Sequence, residues 1–147
     1  KSAKNRGGTI EDIYIDNLKM TNVGVALEVT PNWNPSYSYS TLPAGYDIKT
    51  VPEHWRKMLE PVSPEKGIPH FKDVYISNIT VDGARRAIFA DGLTEEPLKN
   101  FNFSNVNITA NTAGTIKNAS DWSFSNVSIE TKDNSRIAVT QSQNVNP

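Results

Sequence analysis

Apolar and polar positions alternate along four stretches of this chain, and all four carry one pattern. The stretches are IEDIYIDNLKM (10–20), FKDVYISNITV (71–81), LKNFNFSNVNI (98–108) and ASDWSFSNVSI (119–129). They align without a gap. An apolar residue (Ile13, Val74, Phe101, Trp122) is followed two positions on by another (Ile15, Ile76, Phe103, Phe124), and two further on stands Asn17, Asn78, Asn105 or Asn126. An aliphatic, a polar and a second aliphatic residue follow: Leu18 and Met20, Ile79 and Val81, Val106 and Ile108, Val127 and Ile129. Alternation of period two is the mark of a strand that buries one face. The phase changes at the Asn, which predicts a bend between two short strands. A third short strand is expected in each unit, at VALEV (25–29), AIFADG (87–92), GTIKNA (114–119) and RIAVTQ (136–141).

The repeats start 61, 27 and 21 residues apart. The two shorter spacings suit one turn of a solenoid with three short strands per coil. Coils stacked about 4.8 Å apart would set like residues above one another. The Asn column then reads as an interior ladder, each amide bonding to the next. The expected fold is all-β: a partial solenoid, a parallel β-helix of about four coils, forming one domain over residues 1–147. A β-sandwich would also alternate, but it does not explain four gapless copies.

The longest spacing holds an insertion, about residues 30–69, with seven of the nine prolines and with Trp33, Tyr37, Tyr39, Tyr46 and Trp55. Within it, VPEHWRKMLEP predicts a short helix that begins at Pro52 and stops before Pro61. A long loop on a rigid scaffold commonly carries function or closes a site. Its aromatics suit stacking on sugar rings, or simply fastening the loop to the coil.

Composition narrows the classes of partner. The net charge is −1 and no basic run is present, which argues against nucleic acid. No apolar run is long enough to span a membrane. There is no cysteine, so neither a disulfide framework nor a thiolate metal site is available. His54 and His70 alone are too few for a metal centre, and no cofactor is expected.

The Asn-bearing coils, the opening KSAKNRGGTIEDIYIDNLKM and the return IPHFKDVYISNITVDG after an aromatic insertion resemble the C-terminal part of glycoside hydrolase family 28, the polygalacturonases and rhamnogalacturonan hydrolases. The resemblance covers nearly the whole chain. It implies a right-handed parallel β-helix, inverting hydrolysis of galacturonic-acid-containing plant polysaccharide, and a secreted or periplasmic bacterial protein. The family's acid motifs (Asn-x-Asp, Asp-Asp and Gly-His-Gly) do not occur in the sequence. In the family they lie upstream of the matched stretch. The chain is therefore expected to be inactive alone, with its first coil covered by the upstream part of the same enzyme or by a second chain. Lys1 matches the lysine of the family's Arg-x-Lys motif, which binds the substrate carboxylate, and Arg6 with Gly7 and Gly8 matches an Arg-Gly-Gly that follows. The competing class is a non-catalytic β-helix module that binds acidic polysaccharide or only scaffolds.

Lys1, Arg6 and Trp33 are thus the candidate substrate contacts, since Lys or Arg complements a uronate and an indole complements a sugar face. No acid is assigned as catalytic. An inverting glycosidase needs two carboxyl groups about 6.5–9.5 Å apart. Glu95 and Glu96, in LTEEPL, read as a solvated turn. Asp12, Asp73 and Asp121 recur at one place in the repeat, which a structural role predicts. Asp91, at a strand end, is the least unsuited. Asn78, Asn102, Asn107, Asn118 and Asn126 stand in Asn-x-Ser/Thr sequons. Asn78 and Asn126 are ladder positions, and an interior Asn cannot carry a glycan.

Overall fold

A computed structural model describes residues 1–34 and 40–147 of the chain. The first strands are β1 (Thr9–Ile10), β2 (Ile13–Thr21) and β3 (Val25–Val29). After the insertion come β4 (His70–Asp91), β5 (Leu98–Lys117), β6 (Ala119–Thr131), β7 (Ala138–Thr140) and β8 (Gln143–Val145). The protein is mostly β, and its strands form one parallel sheet that does not close. β1, β2 and β3 pair with one side of β4, and β5 with the other; β6 and β7 pair with β5, and β8 with β6. The registers are those of the sequence repeats: Ile13 lies opposite Val74, Val74 opposite Phe101, and Phe103 opposite Phe124. The repeat is therefore a stacking repeat. Rings fall on rings, with Phe101 against Trp122 at 4.5 Å between centroids and Phe103 against Phe124 at 4.9 Å.

The long strands bend where single residues take a left-handed backbone. In β4 these are Asp73, Asn78 and Gly83, with φ of 56°, 54° and 78°. In β5 they are Asn100, Asn105 and Gly114, at 53°, 54° and 98°. One such residue turns the ribbon and resets which parity points inward. Val74 and Ile76 are buried before Asn78, and Ile79 and Val81 after it. Phe101 and Phe103 before Asn105, and Val106 and Ile108 after it, repeat the arrangement. Asn and Asp enter this region more readily than other side-chain-bearing residues, because their short polar groups bond locally.

This corrects the placement of the Asn column. Asn17, Asn78, Asn105 and Asn126 are exposed, at an outer corner between the apolar pairs that fill the inside of the bend. A ladder does run along that corner. Asn126 Nδ2 donates to Asn105 Oδ1 at 2.9 Å, Asn105 Nδ2 to Asn78 Oδ1 at 3.2 Å, and Asn78 Nδ2 to Asp16 Oδ1 at 2.8 Å. Asp16, not Asn17, supplies the last rung. A second corner is built alike: Asp12, Asp73, Asn100, Asp121 and Asn144 all have φ between 53° and 57°. There Asn100 Nδ2 donates to Asp73 Oδ1 at 2.6 Å and Asn144 Nδ2 to Asp121 Oδ1 at 2.8 Å. The recurring aspartates thus shape the backbone.

Burial is uneven along the stack. Ile79 and Val106 keep 4% and 3% of their surface exposed, but Leu18, stacked on Ile79 in β2, keeps 42% and Ile13 keeps 37%. Among the described residues, β2 and β3 pair on one side only.

The insertion carries α1 (Glu53–Leu59) and α2 (Pro64–Gly67). Pro52 stands at the N-cap of α1 and Glu60 at its C-cap, with Pro61 next, as the proline spacing predicts. No residue of α1 is buried, so the helix rides on the surface. Both ends of the insertion are sewn to the segment before β1. Ser2 N donates to Thr30 O at 2.9 Å and Trp33 N to Ser2 O at 2.8 Å, while Asn5 N and Gly7 N donate to Gly67 O at 2.8 and 3.0 Å.

Candidate functional site

The seam between that segment and the insertion gathers two of the three candidate contacts. Lys1 Nζ lies 5.6 Å from the centroid of the Trp33 ring and 2.8 Å from Glu28 Oε1 of β3. The bonds from Ser2 to Thr30 and from Trp33 to Ser2 fix this proximity, because they lay residues 1–3 beside the end of β3. Trp33 keeps 44% of its surface exposed. An ammonium on an aromatic face, half open to water, can hold a carboxylated sugar by charge and by ring contact. Glu28 now occupies the place that an incoming carboxylate would take. Sequence reasoning missed Glu28; the signal was its polar position inside the otherwise apolar VALEV.

Arg6 turns elsewhere. It lines a cavity of about 860 Å³ beneath α1, together with Asn5, His54, Lys57, Met58 and Glu60. Neither Lys1 nor Trp33 lines that cavity. Of the insertion's aromatics, Trp55 meets Tyr46 at 5.4 Å between centroids, so this pair packs the loop on itself. Tyr37 and Tyr39 fall outside the described residues.

The Leu93–Pro97 turn is not simply solvated. Glu95 is exposed and bonds Lys4 Nζ, and this bond holds its carboxyl below the usual value. Glu96 keeps only 17% of its side chain exposed and accepts from Lys99 Nζ at 2.9 Å, with His70 Nδ1 at 3.2 Å. Burial pushes the Glu96 carboxyl up, but the bonds from Lys99 and His70 together outweigh it and the net shift is downward. The turn folds back over the start of β4, and this is what buries Glu96. Both carboxylates latch the segment before β1 and the return of the insertion to the sheet. They are structural ties, and each already has a cationic partner.

No group of three or more metal-ligating side chains occurs among the described residues. Asp91 ends β4 opposite Lys117. The sequons also need a corrected reason. Asn78 and Asn126 are exposed, not interior, but their amide nitrogens donate along the corner ladder. Asn118 is 5% exposed and its Nδ2 donates to Gly92 O at 3.0 Å.

What this seam can do chemically is bind: it offers a cation, a ring face and an exchangeable carboxylate partner. Comparison with protein families, with curated proteins and with solved structures finds no match to this chain.

Proposed function

We propose that the chain is a right-handed parallel β-helix whose repeats are stacked coils. We further propose that it is part of a pectin-degrading family 28 glycoside hydrolase, where it holds galacturonic-acid-containing polysaccharide beside catalytic acids outside this chain. The observation that carries the binding role is the Lys1 ammonium set between the Trp33 ring and the Glu28 carboxylate. A uronate would exchange with Glu28 at Lys1 and lay its ring toward the indole. Repeats in parallel register, turned at left-handed corners, support the helical reading of the fold. Acid catalysis is assigned outside the chain because its sequence lacks all three acid motifs of the family. That same absence favours the second reading, a non-catalytic β-helix module that binds acidic polysaccharide.

Titration with galacturonate, followed by NMR, tests the binding role. The Trp33 indole signal is expected to shift at millimolar ligand, less at high salt because exposed charges are screened, and less in Lys1→Gln. An indole signal that stays fixed throughout would overturn the proposal. A reducing-sugar assay with polygalacturonate tests the placement of the acids. Turnover by this chain at ordinary enzyme rates, about 1 s⁻¹ or faster, would show that they lie within it. The two readings part when an upstream segment bearing the acid motifs is joined to this chain: hydrolysis supports the enzyme, and binding without hydrolysis supports the module.

A further inference from the structure

A second groove lies at another corner of the sheet, and its chemistry is simpler than that of the seam. It encloses about 460 Å³ and is lined by Arg85, Lys132, Asn22 and Asn111, with backbone at Gly24 and Gly83. Among the described residues, no carboxylate lines it. The contrast with the cavity beside Arg6 is direct, since Glu53 and Glu60 there balance Arg6 and Lys57. Two acids neighbour the groove in sequence, and each carboxylate accepts a hydrogen bond. Asp82 Oδ1 accepts from Thr109 Oγ1 at 3.4 Å, and Asp133 Oδ1 accepts from Ser135 N at 2.9 Å.

Stacking assembles this groove. Asn22 N donates to Asp82 O, Arg85 N to Val23 O, Lys132 N to Ala110 O and Asp133 N to Asn111 O. Its four polar side chains therefore come from four successive levels of the stack. Three steps of about 4.8 Å make the groove about 14 Å long, which suits an oligosaccharide better than a single sugar. The Arg85 side chain crosses the backbone of the level above: a Cβ on Gly24 would lie 3.1 Å from Arg85 Nη2. Glycine thus leaves the place where the guanidinium rests. Guanidinium, ammonium and two amides together present donors to carboxylates spaced along a chain.

We propose that this groove is a second binding site, for a run of uronic-acid residues, separate from the Lys1–Trp33 seam. The choice of a uronate over other carboxylate ligands rests on the function proposed above. The test titrates the isotope-labelled chain with trigalacturonate, with its fully methyl-esterified form and with inorganic phosphate. Trigalacturonate is expected to shift the Asn22 and Asn111 side-chain amides and the Arg85 Nε–H together, in a saturable way. The double variant Arg85→Gln, Lys132→Gln should weaken this binding about tenfold, the loss of two charge-assisted contacts. Gly24→Ala should weaken it with folding intact, since the added methyl meets only the flexible end of Arg85. Trp33→Ala should leave it unchanged. Shifts at the Trp33 indole with silence at Asn22 and Asn111 would overturn this site and leave the seam standing. Silence at both would overturn both proposals. Equal response to the methyl ester, or to phosphate, would show that the groove does not read the carboxylates of a sugar chain and would overturn the assignment.

Discussion

Asn105 separates the two jobs that the corner asparagines perform. Its φ of 54° places it in the left-handed region. It donates to Asn78 at 3.2 Å and accepts from Asn126 at 2.9 Å. Asn105→Ala removes both features. The left-handed backbone costs an ordinary L-residue about 1–2 kcal/mol. The two ladder bonds contribute about 0.5–1.5 kcal/mol each, with the lower end fitting an exposed position. The expected loss is about 2–3 kcal/mol. Asn105→Gly removes the ladder but accepts the backbone without strain, at a cost of about 0.5–1 kcal/mol for added freedom of the unfolded chain. Its expected loss is about 1.5–2 kcal/mol. Urea melts followed by tryptophan fluorescence and circular dichroism measure both, and an unchanged m-value shows that the same unit unfolds. The order should be wild type, then Gly, then Ala. An Ala variant at least as stable as the Gly variant would refute the claim that backbone conformation selects Asn here, and would return the repeat to a matter of side-chain bonding alone.

Gly114→Ala should cost about 3 kcal/mol or more, because a Cβ there would lie 1.9 Å from Ile88 O at a φ of 98°. Gly8→Ala, at a φ of 82° with open space around it, should cost only the backbone strain of about 1–2 kcal/mol; equal losses in the same melts would contradict the close approach. Glu96 predicts a pH dependence. Its carboxyl is held below the ordinary value of 4.5, so its contribution is complete above that pH and is lost as pH falls through the folded-state value. Glu96→Gln should therefore flatten the acid limb of a stability profile below about pH 4.5, and an unchanged limb would remove the latch from the account. The first edge of the stack, with Ile13 at 37% and Leu18 at 42% exposure, should drive concentration-dependent association of this chain. Light scattering should show it fall in Ile13→Lys, Leu18→Lys, whereas a wild-type monomer at high concentration would show that the edge is harmless.

The strands and their registers were legible because repetition exposes them. Once Asn17, Asn78, Asn105 and Asn126 are aligned, the spacing of the repeats is the register of the sheet. The α1 helix was legible from Pro52 and Pro61. The inside and outside of the Asn column were not. Alternation tells which residues share a face, but Asn serves equally well in an interior ladder and at a left-handed corner. The deciding signal lay in the interval from Ile76 to Ile79: two buried residues three apart require the ribbon to turn between them, and it turns at Asn78. Glu96 was not legible as partly buried, because LTEEPL looks like any polar turn and its partner His70 stands at the distant return of the insertion. Of the seam, Lys1 and Trp33 stand out in the sequence, yet Glu28 emerges only when bonds from Ser2 join segments far apart in sequence.

The corners decide more than the fold. A strand that turns at a left-handed residue throws its next outward side chain away from the flat face, so successive levels line up polar groups along an edge. The same register that puts Phe101 on Trp122 inside lays the residues of successive levels side by side at the corner beyond Val81, where Arg85 and Lys132 line one groove. Inside, a stacked column stays apolar while its size changes, as from Ile13 and Val74 to Phe101 and Trp122. Outside, it is free to vary, and there the columns change from Tyr14 and Tyr75 to Asn102 and Ser123 within four levels. Polar chemistry that differs from level to level therefore falls on the outer corners, where the proposed uronate groove lies. The carboxylates of one corner are turned into side-chain ties at Asp73 and Asp121, while the groove at another presents cations with no lining acid among the described residues. Under the proposed function, that segregation is what would let a chain whose net charge is only −1 select an acidic polymer.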